Sequence, residues 1–307
     1  MKRSLITLVA LGLGVSLVAA ACGKSDKTSS SSGSGDKKIA VTIGAQDFGE
    51  SAVLAEIYKQ GLAAKGYTTS IKKLGGYRPV ELDAFKAKEI NFAPEYLASL
   101  LEALNNKKGE ATGDAVATYQ KLTPYLKPLG LAALRASSAV DTNAFVITKK
   151  TSDDLGIKTL SDLAAKGKDL KIGAPADCAT NPFCLPGLKK TYGLDLTKNY
   201  TALESGQVAD ALDAGSVQIG LLFSTAGAIA SKGYVLLDDN KHMLAADNVL
   251  PIVTTALATA KGFAPTVRAI TDKLTTDKLI DMNKAFDIDK EDAAVIAKGF
   301  LDRNKLI

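Results

Sequence analysis
One histidine and three cysteines are all that 307 residues provide for chemistry built on imidazole or thiolate. A zinc site wants about four ligands, so no metal centre is expected. A serine triad would have to use His242, which lies in the polar stretch DDNKHML beside Asp238, Asp239 and Lys241 and reads as a solvated surface side chain. Beyond the N-terminus no apolar run approaches the roughly 20 residues that a membrane span needs, so the body is expected to be soluble. Basic residues are scattered, and the formal charge of +5 includes Lys2, Arg3 and lysines of a Ser/Gly tract, which leaves no nucleic-acid footprint. Phosphate loops are missing too, because neither SGSG nor GLG links a strand to a helix. DIDKED, Asp287 to Asp292, lacks the glycine and final glutamate of a calcium loop and reads as the start of the last helix. No internal repeat is visible. What is left favours binding over turnover, with no cofactor.

What is present begins with MKRSLITLVALGLGVSLVAAACGKS: a basic start, an uncharged apolar run from Leu5 to Val18, then small residues. This is the pattern of a secretory signal peptide. Cys22, after Ala19-Ala20-Ala21 and before Gly23, resembles the bacterial lipobox, in which the cysteine is diacylated and becomes the new N-terminus; the usual leucine three residues earlier is absent. A plain signal peptide cut near Ala21 is the alternative. Residues 1–22 are therefore expected to be a lipoprotein signal with lipidated Cys22, and the Ser/Gly/Lys stretch 23–37 a flexible tether that lifts a domain off the membrane. Only Cys178 and Cys184 remain, in CATNPFC. Outside the cytosol two such neighbours are most simply a disulfide, with a stabilisation of roughly 2 kcal/mol from so small a loop.

The body alternates strands with helices. KIAVTIGA, TTSIKKL and INFAPEY read as strands separated by the amphipathic stretches SAVLAEIYKQGLAAKG and PVELDAFKAKEI, and LASLLEALNN and ATYQKLTPYL follow as helices. A second series runs from NAFVITKK through TLSDLAAKG, LKIGAP, PGLKKTYG, YTALES, GQVADALDAGS, QIGLLFST and AGAIASKG to YVLLDD. PIVTTALA is another extended run, and the tail from Thr266 to Asn304 reads as three helices with no strand. Such alternation predicts an α/β fold with parallel pairing. Tail helices without a sheet must pack on an earlier lobe, so the chain is expected to cross to a second lobe near Asn143 and return near Leu250. Residues 38–142 with 251–307 form lobe 1, and 143–250 form lobe 2. Two crossover segments make a hinge, and the crevice at the strand carboxyl ends is where such sheets bind ligands. A single continuous α/β domain is the alternative.

Polar and aromatic groups recur where a strand gives way to a helix. Gln46, Asp47 and Phe48 follow the first strand, and Glu95 and Tyr96 follow INFAP. Thr142, Asn143 and Phe145 mark the outward crossing; Asp177, Asn181 and Phe183 follow LKIGAP; Ser224 and Thr225 follow QIGLLF. Free backbone donors at helix starts suit a carboxylate. Each position also has a purely structural reading: Thr225 or Asp47 as helix caps, Phe48 or Phe145 as core. Glu95 with Asp47 is the one acid/base pair that an enzyme could use.

In order and spacing, IGAQDFGESAVLAEIYKQGL, INFAPEYLASLL, DTNAFVITKK, PADCATNPFCLPGLKKTYGL, FSTAGAI and LLDDNKHMLAADNVLPIV resemble the substrate-binding proteins of bacterial osmoprotectant ABC importers, the glycine betaine/choline-binding family. The resemblance implies a two-lobed, type II periplasmic-binding-protein fold that closes on one small solute, an extracytoplasmic monomer anchored by lipid, and handover to a permease with its ATPase. It also implies aromatic faces around a trimethylammonium group, with cation–π attraction of about 0.5 to 2 kcal/mol per ring. The sequence departs from the family where an arginine, an aromatic residue, a tyrosine and an aspartate are usual: these positions are Asn181, Ala209, Phe223 and Ala226. A receptor for an amino acid or other zwitterion, and a sensor lipoprotein without transport, are the alternatives. If the resemblance holds, a Cys178–Cys184 bond would carry Asn181 and Phe183 into the crevice.

Overall fold
A computed structural model describes residues 39–307. The signal segment, Cys22 and the tether lie outside the described residues. In chain order β1 (Val41–Ala45), β2 (Thr69–Lys73), β3 (Phe92–Tyr96) and β4 (Leu131–Ala133) come with α1 (Gly49–Ala63), α2 (Arg78–Lys86), α3 (Leu97–Leu104) and α4 (Ala115–Leu126). Next are β5 (Asn143–Ile147), α5 (Lys149–Leu155), α6 (Leu160–Lys166), β6 (Ile172–Ala174), α7 (Leu185–Gly187), β7 (Tyr200–Ala202), α8 (Ser205–Asp213), β8 (Ile219–Phe223), α9 (Gly227–Ser231) and β9 (Val235–Leu236). The chain returns through β10 (Val249–Thr254) to α10 (Thr255–Ala258), α11 (Phe263–Thr271), α12 (Thr276–Asp287) and α13 (Ala293–Arg303).

Two five-stranded sheets result, ordered β2-β1-β3-β10-β4 and β7-β6-β8-β5-β9. Both have the same wiring. Three strands joined by right-sized crossovers run parallel, and the fourth, β10 in one sheet and β5 in the other, is antiparallel to its neighbours. The sheets are therefore mixed, where the alternation alone implied parallel pairing. The reversed strands are the two that arrive from the other sheet, so they enter from the opposite end. β10 joins the first sheet from Val249, slightly ahead of the expected boundary at 251. Three further differences are local. β4 is too short to show a period, PIVTTALA breaks at Thr254 into strand and helix, and NAFVITKK stops at Thr148, whose side chain accepts from Thr151 N to open α5.

Apolar side chains pack on both faces of each sheet. On the first sheet, one face buries Ile43, Phe92 and Val253 against α1 and tail residues Val267, Ile270, Phe300 and Leu301, and the other buries Ala93 and Ile252 against Leu97, Leu101 and Leu122. On the second, Phe145, Ile172 and Ile219 pack with Leu160, Leu163 and Leu188, while Ala144, Val146 and Leu222 face Val208, Leu212 and Tyr234. The tail thus completes the first half, with α13 lying along α1; α12 touches both α1 and α9 of the second half.

Between the sheets the outgoing and returning segments run side by side. Val140 bridges Asn248, Asp141 N donates to Asp247 O at 3.0 Å, and Val249 N to Ala139 O at 3.0 Å. This short antiparallel ribbon is the covalent link between the halves.

Candidate functional site
The carboxyl edge of the first sheet carries a row of rings. Phe48 follows β1 in extended conformation, Tyr77 precedes α2, and Tyr96 ends β3. Phe48 lies centrally, 6.5 Å from Tyr77 at an interplanar angle of 18° and 6.2 Å from Tyr96 at 38°. Tyr77 is 48% exposed, Phe48 half-buried and Tyr96 buried. Asp47 N donates to Gly76 O at 3.0 Å and so ties the two loops together. Burial raises the pKa of the Tyr77 hydroxyl, and the carboxylates of Glu204, across at the start of α8, and of Asp47 add to it.

Behind the rings lies a buried polar layer. Arg78 Nε and Nη2 donate to Glu95 Oε1 and Oε2 at 2.6 and 2.8 Å, a bidentate pair. Gln46 Nε2 donates to Glu81 Oε2 at 3.0 Å and Glu95 Oε1 at 3.2 Å, and Tyr96 N to Glu95 Oε2 at 2.8 Å. Burial works against the guanidinium charge of Arg78, but Glu95 overrides it and the pKa rises. Glu81 goes well above the usual carboxylate range, through burial first and then the adjacent Glu95. A carboxylic acid beside an Arg-bound carboxylate is the arrangement this layer favours.

A second polar cluster spans the halves. Tyr96 Oη donates to Glu50 Oε1 at 2.6 Å, Asn283 Nδ2 to Glu50 Oε2 at 2.5 Å, and Thr225 Oγ1 lies 2.7 Å from Glu50 Oε2 and 2.8 Å from Asp141 Oδ1. On the returning segment, Asp247 Oδ1 accepts from Ala98 N at 2.7 Å and Ser99 N at 3.0 Å, so it caps α3 from far along the chain. Burial pushes the Asp247 carboxyl up to about 6.

The second half presents Asn143, Phe223 and Ser224 at its own sheet edge. Asn143 pairs with Phe223 across β5 and β8, and Phe223 is 41% exposed. Ser224 and Thr142 bind each other twice, Thr142 N to Ser224 Oγ at 3.0 Å and Ser224 N to Thr142 O at 2.8 Å. Cys178 and Cys184 are joined by a disulfide with Cα atoms 5.1 Å apart. Within that loop Asn181 Oδ1 accepts from Phe183 N at 2.9 Å and its Nδ2 donates to the exposed Asp177 at 3.3 Å. Phe183 packs on the first half, against the cluster containing Leu97 and Leu101, and Asn143 Nδ2 donates to Phe183 O at 3.1 Å. Lys107 of the first half also donates to Thr180 Oγ1.

Not every residue singled out from sequence meets the others. Phe145 is wholly buried in the second core, two residues in from the sheet edge. Gln46 and Glu95 lie behind the rings. Thr225 does not cap α9, whose N-cap is Ala226, and Asp47 does not cap α1. Glu95 spends both oxygens on Arg78, Gln46 and Tyr96 N, while Asp47 is exposed, so the two do not form an acid/base pair. His242 is an exposed turn residue. Sequence reasoning overlooked Tyr77 and Arg78, although the strand-to-helix rule applied to β2 would have reached them. It also overlooked Glu50, Glu81, Asp141, Asp247 and Asn283, which in sequence look like solvated polar residues.

A family model for the substrate binding domain of ABC-type glycine betaine transport systems, OpuAC, matches residues 39–303. The chain belongs to the OpuAC family. It is 25% identical over 276 residues to the glycine-betaine-binding protein of Pseudomonas aeruginosa, covering 86% of this chain and 88% of that one. The glycine betaine-binding protein YehZ of Escherichia coli is 23% identical over 272 residues, covering 85% and 89%. A crystal structure of a glycine betaine/carnitine/choline ABC transporter protein superposes with a TM-score of 0.70 at 25% identity, over 87% of this chain and 99% of that one. The two sheets are thus the two lobes of a type II periplasmic binding protein.

OpuAC proteins are a solute-binding family, not an enzyme family, and as parts of ABC importers they bind a small ligand and meet a permease. Among the described residues no helix is long and apolar enough to cross a membrane. Ala209 lies in the second core with its carbonyl bound by Tyr234 Oη at 2.8 Å, and Ala226 opens α9.

Proposed function
We propose that this OpuAC protein is the extracytoplasmic receptor of an ABC importer that takes up a quaternary-ammonium osmoprotectant, glycine betaine, choline or a close relative. The supporting observation is the ring row Phe48–Tyr77–Tyr96 at the strand ends of lobe 1, backed by a polar layer in which Arg78 is already neutralised by Glu95. A trimethylammonium group has no hydrogen to donate and is held by ring faces. Asp47 and Glu204 flank those faces with negative charge. Asn143, Phe223 and Ser224 close from lobe 2 over the hinge formed by residues 137–142 and 245–249, and the cystine loop with Asp177, Asn181 and Phe183 docks beside them. The ligand leaves chemically unchanged. Lobe 1 comprises 38–142 and 249–307, lobe 2 the rest of the body. Cys22 carries the lipid, residues 23–37 are the tether, and the protein works as a monomer that passes its ligand to a permease and ATPase.

A thermal-shift screen against glycine betaine, choline, carnitine, proline betaine and amino acids tests the assignment. At a hundred times its dissociation constant, the right ligand stabilises by about 2.7 kcal/mol. Stabilisation by an amino acid alone would replace the assignment with a zwitterion receptor.

A further inference from the structure
Two carboxyl groups meet at one hydroxyl where the lobes touch. Glu50 comes from the first turn of α1, Asp141 from the outgoing crossing segment, and Thr225 from the turn between β8 and α9. Thr225 Oγ1 is within hydrogen-bond distance of both, 2.7 Å from Glu50 Oε2 and 2.8 Å from Asp141 Oδ1. A hydroxyl has a single hydrogen. Asn283 Nδ2, at 3.1 Å, donates to the same oxygen and already occupies one of its lone pairs. Thr225 can therefore donate to one carboxylate only. If both acids were ionised, the other would press a charged oxygen against an oxygen with no hydrogen between them, in a buried site.

The surroundings do not rescue two negative charges. Glu50 faces Tyr96 Oη from β3, Asn283 from α12 and, further along α12, Asp287, which itself faces Lys290. Asp141 faces Asp247 on the returning segment. Glu95 lies beyond Tyr96 with Glu81 beside it, and Arg78, which faces Glu95, Glu81 and Asp247, is held by Glu95 in a bidentate pair. Burial is the first cause that raises both Glu50 and Asp141; hydrogen bonds from Tyr96, Asn283 and Thr225 offset it for Glu50, while for Asp141 the charge of Glu50 adds to it and the hydroxyl and backbone N–H of Thr225, the latter at 3.2 Å, work against it.

We propose that Glu50 and Asp141 hold a single proton between them through Thr225, which makes the joint between the two lobes a proton-binding site. One acid is neutral and donates to Thr225, whose own hydrogen goes to the other. Loss of that proton leaves two charges facing each other across one oxygen, so the joint weakens as pH rises. Glu50 is also the hydrogen-bond partner of Tyr96 Oη, so the proton acts on the ring row through it.

Two measurements test this, and neither involves a ligand. Infrared difference spectra at pH 7 between wild type and Glu50→Gln, and between wild type and Asp141→Asn, should each show loss of a carbonyl stretch from a protonated carboxyl. Either substitution alone removes it, because the remaining acid then ionises and takes the Thr225 hydrogen. A carboxyl with a raised native pKa makes the folded state bind more protons than the unfolded one. The wild-type folding constant should therefore fall with rising pH, by up to about tenfold per unit, more steeply than that of either variant. Urea transitions between pH 5 and 8 read this slope. Infrared spectra that lose no protonated-carboxyl component in either variant, or pH profiles parallel to wild type, would overturn the proposal.

Discussion

Gly227 at the start of α9 and Lys284 of α12 pack backbone on backbone: a Cβ on Gly227 would lie 2.7 Å from Lys284 Cα and 2.9 Å from its N. No flexible side chain can give way there. The contact seats the second lobe's α9 on the C-terminal tail and holds Thr225 beside Asn283 and Glu50. Gly227→Ala must push the helices apart, at an expected cost of about 1–3 kcal/mol. Urea unfolding measures it, and an unchanged midpoint would mean that α9 and α12 separate freely.

The rings of the proposed site differ in how cleanly they can be tested. Tyr77 is half-exposed, so Tyr77→Ala should leave stability within about 0.5 kcal/mol of wild type. Losing one ring face weakens a quaternary ammonium ligand by about 2- to 30-fold, from 0.5–2 kcal/mol of cation–π attraction. Tyr96 is 6% exposed, belongs to the core and donates to Glu50, so Tyr96→Ala is expected to unfold the lobe as well as empty the site. Isothermal titration of Tyr77→Ala with choline and glycine betaine decides; wild-type affinity for both would move the ligand off the ring row.

Much of the architecture was legible because short strands such as Ile219–Phe223 read as continuous apolar runs and because caps such as Thr159 and Asp292 announce helices. Periodicity carries no direction, so the reversal of β5 and β10 was not visible. Nor was the identical wiring of the two sheets, since topology requires apolar strands in order and not a repeated sequence. Phe48, Glu95 and Tyr96 were found from their place at strand ends. Glu50, Glu81 and Asp141 were not, because an acid in a helix first turn or a loop reads as solvated until tertiary contacts bury it. Phe145 shows the converse: it shares a face of β5 with Asn143 but lies two residues in from the sheet edge, where the core closes over it.

Arg78 is the residue on which the buried layer depends. Arg78→Met removes the partner of a wholly buried Glu95 and is expected to cost about 3–5 kcal/mol at neutral pH. Glu81→Gln removes a carboxyl whose pKa burial and the adjacent Glu95 raise, and should cost less than about 1 kcal/mol. The pH dependence separates them further. Because the folded pKa of Glu81 is raised, its contribution is fully present below the unfolded value near 4.3 and is lost as pH climbs toward the folded one. Glu81→Gln should flatten that part of the stability profile. A profile unchanged from wild type in urea melts from pH 4 to 8 would mean that Glu81 is ionised.

The cystine loop acts on both lobes. Its disulfide fixes a short turn from which Phe183 enters the first lobe's core, while Asn143 of the second holds Phe183 O. Without the bond, the loop must be ordered each time the lobes meet, at about 0.5–1.5 kcal/mol per immobilised side chain. The double variant Cys178→Ser, Cys184→Ser should therefore lose affinity by roughly 2- to 12-fold for each side chain so freed, in addition to the ~2 kcal/mol of stability that the closed loop contributes. Phe183→Ala with the disulfide intact should reproduce the affinity loss, because it removes the contact with lobe 1 and leaves the staple in place. Calorimetric titration of both proteins separates the two roles: if Phe183→Ala binds like wild type while the cysteine variant does not, the disulfide acts on the ligand directly and not by docking the loop.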